Sequence, residues 1–233
     1  MTKSNIQVSF IVLCFNEEKN INKTIEEIFK TSKVCDLKNF EIIVIDDGSF
    51  DNSYNIVKKH KSIKKFKNKI NLGMGGAYKA GLKKSKGEYI IMIPGDNSHP
   101  VSSIKPIIER RGTTDMIIPY TDKKGNRNFF RYILSKLFTG LVNYIFKLNL
   151  NYYNGTVLHK KKILDKIEIH TNGFDYQAEI LIKLINMGYL FEQIPVIITE
   201  RIEGKSKAVS ISNSIKIFQN LYSLKKQHMK NLF

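Results

Sequence analysis

Carboxylates follow two of the apolar runs in the first hundred residues. Asp46 and Asp47 come at the end of the run 42–45, and Asp96 follows the run 89–93. Such carboxylates can accept hydrogen bonds from a base or a ribose, and they can hold the Mg²⁺ or Mn²⁺ that bridges a diphosphate. Cationic and metal groups near a departing diphosphate stabilise its developing charge. The residue types therefore predict chemistry on a nucleotide.

The elements that position these carboxylates alternate between strand-like and helical patterns. This alternation predicts a mostly parallel central sheet flanked by helices, an α/β Rossmann-like domain. In such a sheet, ligands bind at the carboxyl ends of the strands. Strands are predicted at 7–13, 40–46, near Lys69-Ile70, 89–93, 115–119, within 155–166 and at 189–199, and helices at 17–31, 51–61, 74–86, 101–111, 127–150, within 155–166 and at 174–187.

The formal net charge of +17 favours anionic partners, including a nucleoside-diphosphate sugar, a lipid phosphate and an anionic bilayer surface. Nucleic acid is not expected as a partner, because the lysines are spread along the chain and aromatic and basic residues are not interleaved. Cys14 and Cys35 lack metal or redox spacing, which is typical of a reducing compartment. No signal-peptide pattern and no apolar segment of about 18 residues is present, so a cytoplasmic or peripheral protein is expected.

Two segments of the C-terminal half are amphipathic, with apolar residues and lysines. Residues 127–150 have helical spacing and many aromatic side chains, and three interpretations stay open: a buried core, an oligomer contact, or a helix in the membrane interface. Residues 209–233 form either a second amphipathic anchor or a frayed tail. We predict a catalytic domain over 1–208 and a basic C-terminal tail over 209–233.

The ordered motifs resemble the family 2 glycosyltransferases of the GT-A fold, in the branch of the dolichol-phosphate mannose synthases. The resemblance covers about residues 6–207. It rests on motifs that occur in the same order in that family: Phe15-Asn16-Glu17-Glu18, Asp46-Asp47-Gly48-Ser49, Asn71-Leu72-Gly73-Met74-Gly75-Gly76-Ala77, Gly95-Asp96-Asn97, Arg131 with Ser135, Asn154-Gly155, and Arg201 to Lys207.

The resemblance implies an inverting transfer of a sugar from a nucleoside-diphosphate sugar to a polyprenyl phosphate, assisted by Mg²⁺ or Mn²⁺. It assigns the metal to Asp96 with Asn97, and the acceptor phosphate to Arg127, Arg131 and Ser135. Residues of the strand ends, the glycine segment and the later basic motif would bind the nucleotide sugar: Leu13, Phe15, Glu17, Asp46, Asp47, Gly75, Asp96, Arg201, Lys205 and Lys207.

The chain departs from the family pattern at the end of the third apolar run. Pro94 stands where relatives carry the first acid of Asp-x-Asp, which leaves one carboxylate fewer for a metal. Two other functions therefore stay open. One is transfer to a sugar hydroxyl in polysaccharide or lipopolysaccharide synthesis, with Asp175 or Glu179 as the general base. The other is a catalytically weakened scaffold that binds a nucleotide sugar.

The resemblance also implies a location and partners. We expect a cytoplasmic enzyme attached peripherally to the inner face of a membrane, with a homo-oligomer or a membrane partner protein as a further option. The segment 127–150 would then lie on the acceptor side, near the bilayer.

Overall fold

The computed structural model describes residues 6–121, 129–198, 220–221 and 224–226, with side chains in the second range from residue 132 onward. Within these ranges the strands and helices alternate along most of the chain. They are, in order, β1 (Val8–Cys14), α1 (Ile21–Val34), β2 (Phe40–Asp46), α2 (Ser53–Lys59), β3 (Lys64–Lys67), α3 (Gly73–Lys84), β4 (Tyr89–Pro94), α4 (Val101–Glu109), β5 (Met116–Tyr120), α5 (Phe129–Phe146), β6 (Leu158–Lys160), α6 (Lys161–Leu164), α7 (Tyr176–Asn186) and β7 (Phe191–Pro195).

The described strands form one seven-stranded sheet in the order β3-β2-β1-β4-β6-β5-β7. β6 runs antiparallel to both of its neighbours, β4 and β5, whereas the other strand pairs are parallel. The predicted α/β fold with a mostly parallel sheet is therefore confirmed. β1 lies between β2 and β4, so the polar segments that follow these three strands emerge at the same edge.

Helices cover both faces of the sheet, and alternate residues of β1 face opposite sides. Ile11 and Leu13 pack in the cluster that includes α3, α5 and α7. Phe10, Val12 and Cys14 pack in the cluster that includes α1, α2 and α4. Burial on both faces explains why this strand is a continuous apolar run in the sequence.

Two predicted boundaries were wrong near the candidate site. The third strand is Lys64–Lys67 rather than the segment near Lys69-Ile70, because it pairs with the last residues of β2 and ends beside Asp46. α1 begins at Ile21 rather than at residue 17, because the residues before it form a loop that is hydrogen-bonded to the segment after β2.

α5 buries one face and exposes another. Val142 and Phe146 are buried in the core, whereas the side chain of Leu137 is 64% exposed and that of Tyr144 is 85% exposed. Among the described residues, no helix combines the length and apolarity that crossing a bilayer requires. The core interpretation thus holds for the buried face of this helix, and the oligomer and membrane interpretations stay predictions for its exposed face.

Part of the predicted C-terminal tail belongs to the core. Leu221 and Leu224 are buried in the cluster that contains α3 and α7. At these two positions the segment packs on the domain instead of extending from it. The boundary at residue 208 stays a prediction, because residues 199–219 lie outside the described ranges.

A buried histidine gives the fold a pH-dependent stability. His159 of β6 is 1% exposed; its Nε2 lies 2.9 Å from Nε2 of Gln177, and its Nδ1 has no hydrogen-bond partner. Burial lowers the pKa of His159 to about 3, below its ordinary value. The native state therefore resists protonation that the unfolded chain accepts below about pH 6.5.

We expect wild-type unfolding free energy to fall as the pH drops below about 6.5, by up to about 1.4 kcal/mol per pH unit from this group. His159→Asn should remove that part of the slope, and urea unfolding at pH 7.5, 6.0 and 5.0 measures it. His60→Asn, at a partly exposed histidine, is the control. Parallel pH profiles for the wild type and His159→Asn would contradict the assignment.

Candidate active site

The loop after β1 and the loop after β2 are joined by reciprocal hydrogen bonds. The backbone N–H of Asn16 donates to Ser49 Oγ at 3.0 Å, and the backbone N–H of Phe50 donates to Asn16 Oδ1 at 2.9 Å. The backbone N–H of Glu17 donates to Ser53 Oγ at 2.8 Å. Asn16 has a positive φ of 56°, which Asn tolerates better than most residues. These bonds fix the backbone beside the predicted nucleoside residues.

A second set of bonds and a ring contact extend the same junction. The backbone N–H of Glu18 donates to Asp51 Oδ2 at 3.1 Å, and that of Asn52 donates to Glu18 Oε2 at 3.0 Å. The rings of Phe15 and Phe50 meet edge to face, with centroids 6.1 Å apart. Acidic and aromatic residues of the first loop are therefore held in place by the second loop.

Asp47 caps the N-terminus of α3. Its Oδ1 accepts hydrogen bonds from Asn68 Nδ2 at 2.7 Å and from the backbone N–H of Leu72 at 3.0 Å. Its Oδ2 accepts one from the backbone N–H of Gly73 at 3.0 Å. A carboxylate at this position is also stabilised by the helix dipole. Asp47 thus organises the segment 71–77, called the glycine turn below, in which α3 begins.

Asp46, the preceding residue, lies in a very different environment. Its side chain is fully buried, and neither carboxylate oxygen has a hydrogen-bond partner. Lys67 forms an ion pair with Asp46: its Nζ lies 3.5 Å from Asp46 Oδ2 and also donates to the backbone carbonyl of Ser49 at 3.1 Å. A buried carboxylate without hydrogen bonds is costly unless a ligand supplies the donors.

Two glycines allow close backbone contacts around these aspartates. Gly48 has a φ of +78°, and a Cβ there would lie 2.9 Å from the carbonyl carbon of Ile70. Gly73 has a φ of +80°, and a Cβ there would lie 2.5 Å from the backbone oxygen of Asn172. Any larger residue at either position would displace the glycine turn.

The end of β4 carries Asp96 on a tight turn. The backbone N–H of Gly95 donates to the carbonyl of Leu13 at 2.8 Å, so this turn is anchored to β1. Asp96 Oδ1 accepts bonds from the backbone N–H of Ser98 at 3.1 Å and from its Oγ at 2.6 Å. Asn97 has a φ of 57°, and its buried Oδ1 has no hydrogen-bond partner.

These residues fit a divalent cation that is held chiefly by a ligand's phosphates. The donors are one carboxylate, Asp96, and one amide oxygen, Asn97 Oδ1, both of the hard oxygen type that Mg²⁺ prefers. Among the described residues, no group of three or more His, Cys, Asp or Glu side chains is placed to hold a metal. Mg²⁺ commonly binds through one or two carboxylates plus substrate phosphates, and the assignment of a metal to Asp96 and Asn97 stays a prediction.

The two candidate bases, Asp175 just before α7 and Glu179 within it, both accept hydrogen bonds from protein groups. Glu179 accepts hydrogen bonds from the backbone N–H groups of His170 and Thr171, each at 2.9 Å, and from Lys183 Nζ. Burial opposes its charged form, but the bonds from His170, Lys183 and Thr171 outweigh burial, so the pKa of Glu179 is lowered. A carboxylate stabilised in this way is a poor proton acceptor.

Asp175 is likewise buried and fully engaged. Its Oδ1 accepts from Thr171 Oγ1 at 3.0 Å, and its Oδ2 accepts from Asn220 Nδ2 at 2.8 Å. Both oxygens of Asp175 thus have protein partners, which disfavours the general-base role that was left open for this residue.

Several predicted site residues lie outside the part of the chain that the structure describes. Arg127, Arg201, Lys205 and Lys207 are outside the described ranges, and Arg131 is in α5 with its side chain outside them. Ser135 lines a small hollow beside α5. The roles assigned to these residues stay predictions.

Residues that the sequence did not single out complete the site. Lys67 lies beside Asp46, Asn68 donates to Asp47, and the carbonyl of Asn172 accepts from the backbone N–H of Gly75 at 2.9 Å. Lys67 belongs to a dense lysine run that gave no sign of one member facing inward. Asn172 lies about a hundred residues from its partner, a pairing that no local pattern indicates.

A model of one protein family covers most of this region. The family is described as glycosyl transferase family 2, and its model matches residues 9–173. The match includes the three strand ends, the glycine turn and the loop that contacts it.

Curated relatives are dolichyl-phosphate glycosyltransferases. A dolichol-phosphate mannosyltransferase from Pyrococcus furiosus is 26% identical over 190 residues, which is 76% of this chain and 53% of that protein. A dolichyl-phosphate beta-glucosyltransferase from Trichomonas vaginalis is 31% identical over 108 residues, which is 43% of this chain and 33% of that protein. The chain thus spans about a third to a half of the length of these relatives.

Solved structures share the fold. Glucosyl-3-phosphoglycerate synthase from Mycobacterium tuberculosis with phosphoglyceric acid has a TM-score of 0.71 at 16% identity, covering 95% of this chain and 80% of that one. Mannosyl-3-phosphoglycerate synthase from Rubrobacter xylanophilus has a TM-score of 0.68 at 14% identity, covering 97% and 74%. Other structures of the mycobacterial enzyme contain UDP with Mn²⁺ or Mg²⁺. These matches confirm the GT-A-like fold.

The contrast between the adjacent aspartates predicts that their substitutions affect stability differently. Asp47→Asn should lower the unfolding free energy by roughly 1–2 kcal/mol, because an amide nitrogen cannot accept the bonds that cap α3. Asp46→Asn should leave it equal or raise it, because it removes a buried charge that lacks hydrogen bonds. Urea unfolding at pH 7.5 measures both. A larger loss for Asp46→Asn than for Asp47→Asn would overturn this interpretation.

Proposed function

Because the chain belongs to glycosyl transferase family 2, we propose that it transfers a sugar from a nucleoside-diphosphate sugar to a polyprenyl phosphate. The observation that carries the proposal is Asp46, a fully buried carboxylate without hydrogen-bond partners at the end of β2. A base or ribose supplies N–H or O–H donors of the kind that this carboxylate lacks. The names of the curated relatives, both dolichyl-phosphate glycosyltransferases, support the acceptor class.

In the proposed donor pocket one carboxylate binds the nucleoside, and hydrogen-bonded loops hold that carboxylate in place. Asp46 accepts hydrogen bonds from the nucleoside, whereas Asp47 binds the backbone of the glycine turn and so fixes its position. Leu13, Phe15 and Glu17 line the pocket on the β1 side. The backbone at Gly75 approaches the nucleotide sugar, and Arg201, Lys205 and Lys207 bind the diphosphate.

A divalent cation, Mg²⁺ or Mn²⁺, offsets the negative charge of the diphosphate when it is bound. Asp96 and Asn97 would hold the cation. Structures of the mycobacterial glucosyl-3-phosphoglycerate synthase with UDP and either metal support this cofactor class.

The transfer step is a direct displacement with inversion at the anomeric carbon. An oxygen of the acceptor phosphate forms a bond to C1 of the sugar while the bond from C1 to the diphosphate oxygen breaks. The nucleoside diphosphate leaves with the electron pair. A phosphate monoester has a second pKa near 6 and is already ionised at neutral pH, so no general base is needed. The engagement of Asp175 and Glu179 in protein hydrogen bonds supports this acceptor over a sugar hydroxyl.

The acceptor is proposed to approach from the side of α5. Arg127, Arg131 and Ser135 bind its phosphate. The exposed apolar side chains of α5, including Leu137 and Tyr144, would contact the membrane surface from which the lipid phosphate is taken. We propose a cytoplasmic, peripheral location on this basis.

A second function is favoured by one specific observation. Pro94 occupies the position of an acid, and the described residues include no cluster of three metal-ligating acids, histidines or cysteines. The chain could therefore bind a nucleotide sugar without turning it over. Binding without transfer to any acceptor would support this scaffold role.

The donor proposal predicts that Asp46→Asn weakens binding of the preferred donor by at least about tenfold, because a hydrogen bond to a charged group is lost. A thermal-shift screen of UDP-glucose, UDP-N-acetylglucosamine, GDP-mannose and the free diphosphates, with Mg²⁺ or Mn²⁺, selects the donor. Isothermal titration then measures the affinity. Glu41→Gln, at a buried acid near the other end of β2, is the matched control. Equal donor affinity for wild type and Asp46→Asn would exclude the assignment.

The acceptor proposal predicts that Arg131→Ala raises the KM for polyprenyl phosphate by about tenfold or more, because a charge-assisted contact to phosphate is removed. The KM for the donor should stay within about twofold. Radiolabelled sugar that partitions into organic solvent reports the product. Arg111→Ala, near the amino-terminal edge of the sheet, controls for loss of positive charge. Unchanged acceptor kinetics in Arg131→Ala would refute the role of this arginine.

A further inference from the structure

The glycine turn at the start of α3 rests on a loop from a distant part of the chain, residues 170–173. The backbone N–H of Gly75 donates to the carbonyl of Asn172 at 2.9 Å. A Cβ on Gly75 would lie 2.6 Å from the carbonyl oxygen of Thr171, so the two segments touch backbone to backbone. The position of loop 170–173 therefore sets the position of the turn.

The same turn carries the amides that bind Asp47. The backbone N–H groups of Leu72 and Gly73 each donate to its carboxylate at 3.0 Å. Asp47 directly follows Asp46, the carboxylate proposed to bind the donor. A displacement of loop 170–173 would therefore move the glycine turn and Asp47, and with them the donor pocket.

Two carboxylates of the α7 region hold loop 170–173. Glu179 binds the backbone N–H groups of His170 and Thr171. Asp175 binds the side chain of Thr171, whose Oγ1 in turn accepts from the backbone N–H of Gly173 at 3.1 Å. The loop is therefore held by its backbone and by one side chain.

The far end of the chain completes this arrangement. Asn220 Nδ2 donates to Asp175 Oδ2 at 2.8 Å and to Thr171 Oγ1 at 3.0 Å. Leu221 and Leu224 beside it are buried in the core, so Asn220 is anchored. Asn220 lies beyond residues 9–173, the part of the chain that the family model covers.

We propose that Thr171, Asp175 and Asn220 form a positioning brace, which holds loop 170–173 against the glycine turn and thereby shapes the donor pocket. Asp175 is a positioning residue and not a proton acceptor in the transfer step. Asn220 is thereby required for the shape of the donor site. The inference rests on the proposed donor pocket, but the brace itself is measurable without any donor.

A reciprocal exchange of the two side chains tests the brace. Asp175→Asn leaves one oxygen where two accept from Thr171 and Asn220, and Asn220→Asp sets two carboxylates against each other. Each single variant should speed hydrogen exchange at the Gly75 amide by about tenfold and raise the KM for the selected donor by a similar factor, with little change in kcat. The double variant Asp175→Asn/Asn220→Asp restores the donor–acceptor pair between positions 175 and 220 in the opposite sense, but it lacks the donor to Thr171 Oγ1, so it should recover part of both losses.

Two comparisons distinguish a positioning role of Asp175 from a general loss of stability and from a role as a general base. Glu41→Gln removes a carboxylate that binds Ser9 and the backbone of Lys86 at the other end of the sheet, and it should leave exchange at Gly75 unchanged. If Asp175 were a base, Asp175→Asn and the double variant would both lose kcat by about a hundredfold or more. That result would overturn the proposal, as would unchanged exchange at Gly75 in both single variants.

The outcome also distinguishes this inference from the proposed function. If no nucleotide sugar binds to the wild type, the proposed donor is wrong, whereas the exchange at Gly75 and its recovery in the double variant still decide the brace. If the donor binds and the single variants change exchange without changing its KM, the brace does not shape the donor pocket, and the inference fails.

Discussion

The parallel strand order β2-β1-β4 brings three polar segments to one edge of the sheet. β1 is paired on both sides, with Cys14 beside Asp46 and Leu13 beside Pro94. The loop after β1 must therefore lie between the turns that follow its two neighbours. Hydrogen bonds between these loops, rather than regular structure, then fix the predicted binding residues. The whole candidate site depends on this arrangement of strand ends.

Two adjacent aspartates show how one edge serves both stability and binding. Asp47 binds three donors of the protein and caps α3. Asp46 is equally hidden from solvent but has no hydrogen bond to the protein. A fold selected only for stability would remove such a group, since unsatisfied buried charge is unfavourable. The presence of Asp46 in this setting supports a ligand that completes its bonding.

The sequence predicted the fold well because buried parallel strands are apolar runs and their helices have regular spacing. β3 was misplaced because a short edge strand of lysines lacks an apolar signal, and lysine is a usual residue on exposed edges. Of the predicted site residues, Leu13, Asp46 and Asp96 lie at or just after the ends of β1, β2 and β4, and the roles assigned to them stay predictions. The sequence could not predict how Asp46 and Asp47 differ in bonding, or that Asp175 contacts Asn220. Asp47 and Asn68 are 21 positions apart and Asp175 and Asn220 are 45 apart, so no local pattern connects them.

The most direct test of the account is a crystal structure with the nucleoside diphosphate that raises the melting temperature most in the presence of Mg²⁺. The account predicts that a nitrogen or hydroxyl donor of the nucleoside lies within hydrogen-bond distance, about 2.7–3.2 Å, of an Asp46 carboxylate oxygen. A nucleotide bound elsewhere, or one bound at this edge with Asp46 still lacking a hydrogen-bond donor, would contradict the central claim.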